Sequence, residues 1–272
     1  VFDTGEGTVQ IIQTGIKGMY VGVLGVYADG DDVKFKFQRV PLDSRFEDSP
    51  ELKQVFRDYQ EQLQVMGLEG LGLRPVIHPS TREYVGSETC GDCHSIAYDV
   101  WENGPDGDGG VHFHATDSLT DPTERTWVTR IYDPECLSCH VTGWNPQKYF
   151  PFDSGYVALE DSAHLHGNGC ENCHGPGSQH VAAEDGSISA SDEDIQQFRD
   201  EMRVTLEEAK QTLCLECHSD LADQLQAGTS RHAPVEGGEC TSCHSPHSSN
   251  RNFLFRNEAL SPSNLCLMCH EK

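Results

Sequence analysis

No stretch of this chain approaches the roughly 18 consecutive apolar residues of a membrane-spanning helix, so the sequence holds no membrane span. Positive charge is scarce. The 19 Lys and Arg face 44 Asp and Glu, a formal net charge of −25. That excludes a nucleic-acid binder, which needs a basic surface for the phosphate backbone, and a polybasic membrane contact. Aromatic residues make up 8% and mean hydropathy is −0.53, so a conventional core would be modest. Methionine is nearly absent. Of the four, Met268 lies inside a cysteine motif, and Met19, Met66 and Met202 lie in scaffold segments, which leaves none suited to hold a metal. Residues 1–85 contain no cysteine, and their single histidine is His78.

What the chain has in excess is 12 Cys and 14 His. Every cysteine falls into one spacing, closed each time by a histidine: Cys90-Gly-Asp-Cys93-His94, Cys136-Leu-Ser-Cys139-His140, Cys170-Glu-Asn-Cys173-His174, Cys214-Leu-Glu-Cys217-His218, Cys240-Thr-Ser-Cys243-His244 and Cys266-Leu-Met-Cys269-His270. A disulfide framework or zinc ribbons would accept paired cysteines, but neither requires a histidine directly after each pair. Six out of six by chance is roughly one in 10⁷–10⁸. Covalent haem attachment explains all three positions. The thiols add across two porphyrin vinyl groups, and the adjacent imidazole becomes the proximal iron ligand. Six haem c groups are therefore expected, with His94, His140, His174, His218, His244 and His270 as proximal ligands.

The expected architecture follows. Residues 86–272 form a hexahaem c-type cytochrome domain, mostly irregular and α-helical, wrapped around six flat apolar rings, so hydrophobic periodicity should predict poorly there. Residues 1–75 form a small α+β segment, and residues 76–85 a linker. Thr8–Ile12, Met19–Val26 and Val33–Val40 are alternating or apolar runs that predict a small antiparallel sheet. Ser49-Pro50-Glu51 starts a helix, with Leu52, Val55, Phe56, Tyr59, Leu63 and Met66 as a stripe packing on that sheet and Gly67 and Gly70 ending it. Ser191 opens a second helix carrying Ile195, Phe198, Met202 and Leu206, and Thr205 to Glu208 is a capping-box pattern running into Cys214. This insert reads as a spacer between the third and fourth motifs.

Eight histidines remain: His78, His112, His114, His164, His166, His180, His232 and His247. With six irons to satisfy, each is a candidate distal ligand. His247 lies three residues after His244, and at roughly 3.5 Å per extended residue it cannot travel round the ring edge to the opposite face. It should therefore ligate a neighbouring haem, and His180, six residues after His174, should do likewise. Such stitching would bring the porphyrins close enough for electron hopping. Ligation by two histidines lacks the potential-raising methionine, so low potentials are expected.

The stretches Tyr84-Val-Gly-Ser-Glu-Thr-Cys-Gly-Asp-Cys-His94, Trp101, His112-Phe-His114, Cys136-Leu-Ser-Cys-His-Val-Thr-Gly143 and Cys170-Glu-Asn-Cys-His-Gly-Pro-Gly-Ser-Gln-His180 resemble the tetrahaem cytochrome c-554 family. The tail, with Cys240-Thr-Ser-Cys-His-Ser-Pro-His247 and Leu265-Cys266-Leu-Met-Cys-His270, looks like the doubled CXXCH module of multihaem cytochromes. The first resemblance implies His166 (or His164), His180, and His112 or His114 as distal ligands; the second implies His232. His78 and His164 stand in reserve. The chain departs from the tetrahaem pattern in two extra haem motifs and in the acidic insert Pro105–Gly110. That insert reads as a solvated turn, with calcium at Asp106 and Asp108 as the alternative. Gly18-Met-Tyr-Val-Gly-Val-Leu-Gly25 and the following helix are faintly similar to the closing segment of metallophosphoesterase domains. None of the paired Asp, His and Asn ligands of such an enzyme is present, so no catalytic residue is assigned.

The resemblance implies electron transfer between redox partner proteins, without catalysis. The alternative is a multihaem oxidoreductase acting on a small nitrogen oxide, nitrite or hydroxylamine, at one haem with an open face. Abundant spare histidines and the lack of a Cys-X-X-Cys-Lys variant favour the carrier. Covalent haem addition takes place on the outer side of the energy-coupling membrane, so a periplasmic or extracellular protein is expected. No signal peptide is present in this chain, which begins at Val1 and is mature, trimmed or the C-terminal part of something longer. Head-to-tail self-association into an extracellular conductive filament is one expectation, since a row of haems without an open site is useful only if both ends meet a partner, and a soluble periplasmic shuttle is the alternative.

Overall fold

A computed structural model of the chain describes residues 2–3, 8–9, 11–15, 18–30, 32–104, 107, 109–120, 128–226, 232–247, 249, 254–256, 262–267 and 269–270. It divides into two units, Val1–Val55 and Phe56–Lys272.

In the first unit the expected sheet resolves into two separate ribbons. Strand β1 (Phe2–Asp3) pairs with β2 (Thr8–Val9), and β3 (Tyr20–Asp29) with β4 (Asp32–Pro41), both antiparallel. The longer ribbon runs in register from Tyr20↔Pro41 to Asp29↔Asp32. Gly30, at φ 69°, supplies the left-handed turn that a two-residue hairpin loop needs. The alternation of β4 places Val33, Phe35 and Phe37 on one face with Leu24 and Val26, and all five are exposed.

Helix α1 (Pro50–Gly70) begins where expected: the Ser49 hydroxyl accepts from the Leu52 amide at 3.3 Å. Gly67, at φ 59° and ψ −178°, breaks it before its last turn. The stripe behaves differently from expectation. Leu52 and Val55 stay exposed, whereas Leu63 and Gln60 are buried in the second unit, where the Gln60 side-chain amide donates to Asp133 at 3.0 Å. An amphipathic pattern identifies the buried face but not which neighbour covers it.

The second unit is a succession of short helices joined by loops: α2 (Ser87–Gly91), α3 (Ser95–Asn103), α4 (Asp117–Thr120), α5 (Pro134–His140), α6 (Cys170–His174), α7 (Ser178–Glu184), α8 (Asp192–Glu201), α9 (Leu206–Glu208), α10 (Cys214–Cys217), α11 (Ser219–Gln226), α12 (Ala233–Glu236) and α13 (Pro262–Leu267). A third small ribbon, unannounced in the sequence, joins β5 (Trp144–Asn145) to β6 (Phe150–Pro151). Around it lies the apolar core: Tyr84, Leu119, Ile131, Leu137, Val141, Trp144, Phe152, Tyr156 and Leu165. Its loops are tied by main-chain bonds, Thr142 N–H to Leu165 O at 2.9 Å and Tyr156 N–H to Thr142 O at 3.0 Å. The Trp144 indole donates to the Tyr156 carbonyl at 2.8 Å. Gly143 and Gly155 touch backbone to backbone here, and a Cβ on Gly155 would overlap the Gly143 carbonyl. Residues 76–85, expected as a linker, run along this core: Val76 bridges Phe152, and the Tyr84 amide donates to Ser154 Oγ at 2.8 Å.

The two capping predictions hold. Ser191 and Asp194 form a reciprocal capping box at the start of α8, and Thr205 and Glu208 form one at α9, which runs through a π-turn (Ala209–Leu213) into Cys214.

Candidate haem centres

Each Cys-X-X-Cys-His motif builds the same local shape. The histidine amide bonds back to the carbonyl of the first cysteine in four of them: His94 to Cys90 at 2.9 Å, His218 to Cys214 at 3.0 Å, His244 to Cys240 at 2.9 Å and His270 to Cys266 at 2.9 Å. The other two motifs, Cys136–His140 and Cys170–His174, lie wholly inside α5 and α6. One helical turn puts cysteines i and i+3 side by side, as two vinyl groups on one porphyrin edge require, and sets the imidazole next to them. None of the twelve cysteines is joined in a disulfide. Among the described residues no group of three or more His, Cys, Asp or Glu side chains converges as a metal cage, which a zinc ribbon would need.

The histidine rings meet in pairs. His94 faces His180 with centroids 6.3 Å apart and planes at 22°; His112 faces His218 at 6.4 Å and 51°. His174 faces His247 at 6.1 Å and 14°, and His232 faces His270 at 6.0 Å and 37°. Two imidazoles bonded to one metal from opposite sides, each at about 2 Å with its ring centre roughly 1 Å beyond, stand about 6 Å apart. All four spacings therefore fit a single iron between the rings. The far nitrogens fit as well. His174 Nδ1 meets the Met202 carbonyl at 2.7 Å, and His140 Nδ1 meets the Ala115 carbonyl at 2.8 Å. An Nδ1–H given to a carbonyl leaves Nε2 unprotonated and aimed as a ligand. Burial holds the His112 and His140 imidazoles below their ordinary value; at His112 the neighbouring His218 adds to it. Both shifts are toward the neutral form, the form that binds metal.

Of the distal candidates, His112, His180, His232 and His247 each stand against a proximal ring of a different motif. The ring opposite His247 is that of His174, not of His244. The others are placed elsewhere. His78 packs edge-on against Phe152 and Tyr84, its Nδ1 within 2.7 Å of Ser80 Oγ. His114 turns to Asp117. His164 lies against Gly86. His166 Nε2 meets the Leu159 carbonyl at 2.9 Å, and its ring lies near Tyr156. No imidazole faces His140 among the described residues, and the His244 ring lies 5.3 Å from Phe255. Asp106 and Asp108, the calcium alternative, lie outside the described residues.

The attachment thiols show which motifs are neighbours. Cys90 and Cys170 share a hydrogen bond that raises the Cys90 thiol and lowers that of Cys170. A hydrogen bond with Cys139, and then burial, raises Cys217. Burial pushes Cys173 up to about 11, with Cys214 adding to it, and burial raises Cys214, followed by Cys240. First and third motifs thus adjoin, as do third and fourth, second and fourth, and fourth and fifth.

Sequence reasoning missed the main-chain partners. Met202, read as scaffold, ends α8 and orients His174 through its carbonyl, so the insert does more than separate two motifs. A main-chain carbonyl acceptor leaves no mark on residue type. Glu171, inside the third motif, was also passed over.

The family described as cytochrome c554 and c-prime matches residues 89–175 and 178–245, and the doubled CXXCH motif matches residues 232–272. Cytochrome c-554 of Nitrosomonas europaea is 26% identical over 103 residues, 35% of this chain and 39% of that protein. Multiheme cytochrome MtrA of Shewanella baltica is 26% identical over 137 residues, 50% of this chain and 37% of that protein. The chain spans about two fifths of the length of these curated relatives. No solved structure matches it.

Proposed function

This chain belongs to the cytochrome c554 and c-prime family, and from that premise we propose that it carries electrons along six closely spaced, covalently bound c-type haems. The single observation behind the reading is the set of four imidazole pairs, each joining two different segments at one-iron spacing. Haem supplies one-electron exchange at its iron. The chain's own groups do the rest. The twelve thiols fix the rings in place, the six proximal imidazoles hold the irons, and His112, His180, His232 and His247 close the second faces. The thiol neighbours support a route from the first motif to the third and on to the fourth, with the second and fifth both beside the fourth. Redox proteins are the partners at its ends. Bis-histidine ligation supports low potentials, and attachment chemistry supports a periplasmic or extracellular location.

The test begins with mass spectrometry. The intact chain should exceed its 30.1 kDa polypeptide by six haems, with no thiol open to alkylation; fewer than six, or reactive motif cysteines, refutes the count. Head-to-tail association into a filament continues the same logic, and electron microscopy of native material decides it: dispersed monomers exclude it.

A second reading rests on His140, whose ring faces no other imidazole among the described residues. An open face there would admit a small nitrogen oxide and make the second haem a site of oxidoreductase chemistry. A high-spin ferric signal that moves on adding cyanide or carbon monoxide supports this reading, and a purely low-spin, unmoved spectrum removes it.

A further inference from the structure

Glu171 is the second residue of the third motif, and it is among the most enclosed side chains of the protein, 1% exposed. Among the described residues its carboxylate accepts main-chain amides alone: Val85 N–H at 3.0 and 3.1 Å, Gly86 N–H at 2.8 Å and Gly177 N–H at 2.8 Å. An amide N–H cannot accept a proton in return, so this cradle fits the ionised carboxylate, with both oxygens engaged as acceptors. No Lys or Arg side chain bonds to it among the described residues.

The three donors belong to two parts of the haem scaffold, and Glu171 to a third. Val85 and Gly86 lead into α2, which carries Cys90. Gly177 leads into α7, which carries His180, the ring facing His94. Glu171 itself sits between Cys170 and Cys173. It lies beside both neighbouring attachment points and adds a minor upward push to each thiol, although the hydrogen bond between them leaves Cys90 raised and Cys170 lowered. Burial leaves Glu171 raised, opposed by the amides of Val85, Gly177 and Gly86 and by the neighbouring His164.

We propose that Glu171 is a redox-positioning residue: a fixed, buried anion between the haems of the first and third motifs that holds both at lower potential than the remaining four. This rests on the six-haem reading above. A ferric centre carries one more positive charge than a ferrous one, and a nearby anion in a poorly screened interior stabilises it. Burial and hydrogen bonding are recognised levers on haem potential, and this residue supplies a charge to two haems at once. By tying three segments together it also fixes their separation.

The test is Glu171→Gln in the full haem-loaded chain, followed by potentiometric titration with optical and electron paramagnetic resonance detection. Two of the six potentials should rise by about a tenfold change in the reduction equilibrium, 59 mV for a one-electron couple. The other four should stay in place. With haem count and circular dichroism as in the wild type, unmoved potentials, or an equal shift of all six, overturn the proposal. A wild-type haem count below six instead strikes the reading beneath it. If the Gln variant does not load haem, the wild-type protein with ¹³C-labelled glutamate still decides. Its reduced-minus-oxidised infrared spectrum should show a perturbed ionised carboxylate; a protonated glutamic acid band overturns the proposal.

Discussion

Replacing His247 with alanine should convert one haem of the six from low-spin to high-spin, and that haem should be the one held at Cys170 and Cys173. The His174 and His247 rings stand 6.1 Å apart with planes at 14°, a spacing that fits a single iron between them. Alanine withdraws the donor by the whole length of the imidazole. His174 cannot compensate, because its Nδ1 is held by the Met202 carbonyl at 2.7 Å. His247 is three residues from His244, a reach of about 10 Å fully extended, too short to pass round a porphyrin edge and back. The change is therefore one additional high-spin haem per chain, read as a ferric paramagnetic resonance signal integrated against total haem, and it should revert with added imidazole. A further step assigns the haem. Adding Cys240→Ala and Cys243→Ala removes the fifth haem and should leave the new high-spin signal in place. If the signal vanishes with the fifth haem, His247 and His244 share one iron and the reach argument is wrong.

Leu165 is 1% exposed within the core around the second motif, and Leu165→Ala should cost about 2–5 kcal/mol. Differential scanning calorimetry of the haem-loaded protein should show a Tm lower by several degrees, and an unchanged Tm would mean the core is not shared with the haem scaffold. Ser191→Ala removes the hydroxyl that caps α8 and should cost about 1 kcal/mol. Because α8 ends at the carbonyl that orients His174, the same variant should broaden the signal of that low-spin haem; a spectrum wholly unaffected would return the insert to a plain spacer.

Legibility tracked how local each signal is. The haem motifs are five-residue patterns with a stated chemistry, and their geometry of two thiols and an imidazole on one helical turn follows from helix spacing alone. Caps at Ser49, Ser191 and Thr205 were legible for the same reason, since each is a side chain bonding to amides within three residues. The partner of each histidine was not. Nothing in residues 174–180 or 240–247 says that His180 meets His94, or that His247 meets His174, because those contacts are made by the chain's path around rings that the sequence never spells out. The β5–β6 ribbon was hidden likewise, being only four residues long and fixed by the Gly143–Gly155 contact. The stripe of α1 was legible as amphipathic, but periodicity carries no address, and it did not foretell that Gln60 and Leu63 would be its buried residues while Leu52 and Val55 stay exposed.

The ring pairs cross the chain in both directions, and that has a bearing on biogenesis. A chain exported from its N-terminus presents the first motif long before His180, and the third long before His247, so with these pairs as ligand sets both irons would pass through a stage with one face bare. The fourth and sixth motifs are spared, because His112 and His232 emerge ahead of them. Cutting the chain before residue 232 would remove two haems and also strip a ligand from a third. On those ligand sets the terminal pair of motifs would be a unit of sequence without being a unit of assembly, since removing it would leave the third haem short of a ligand.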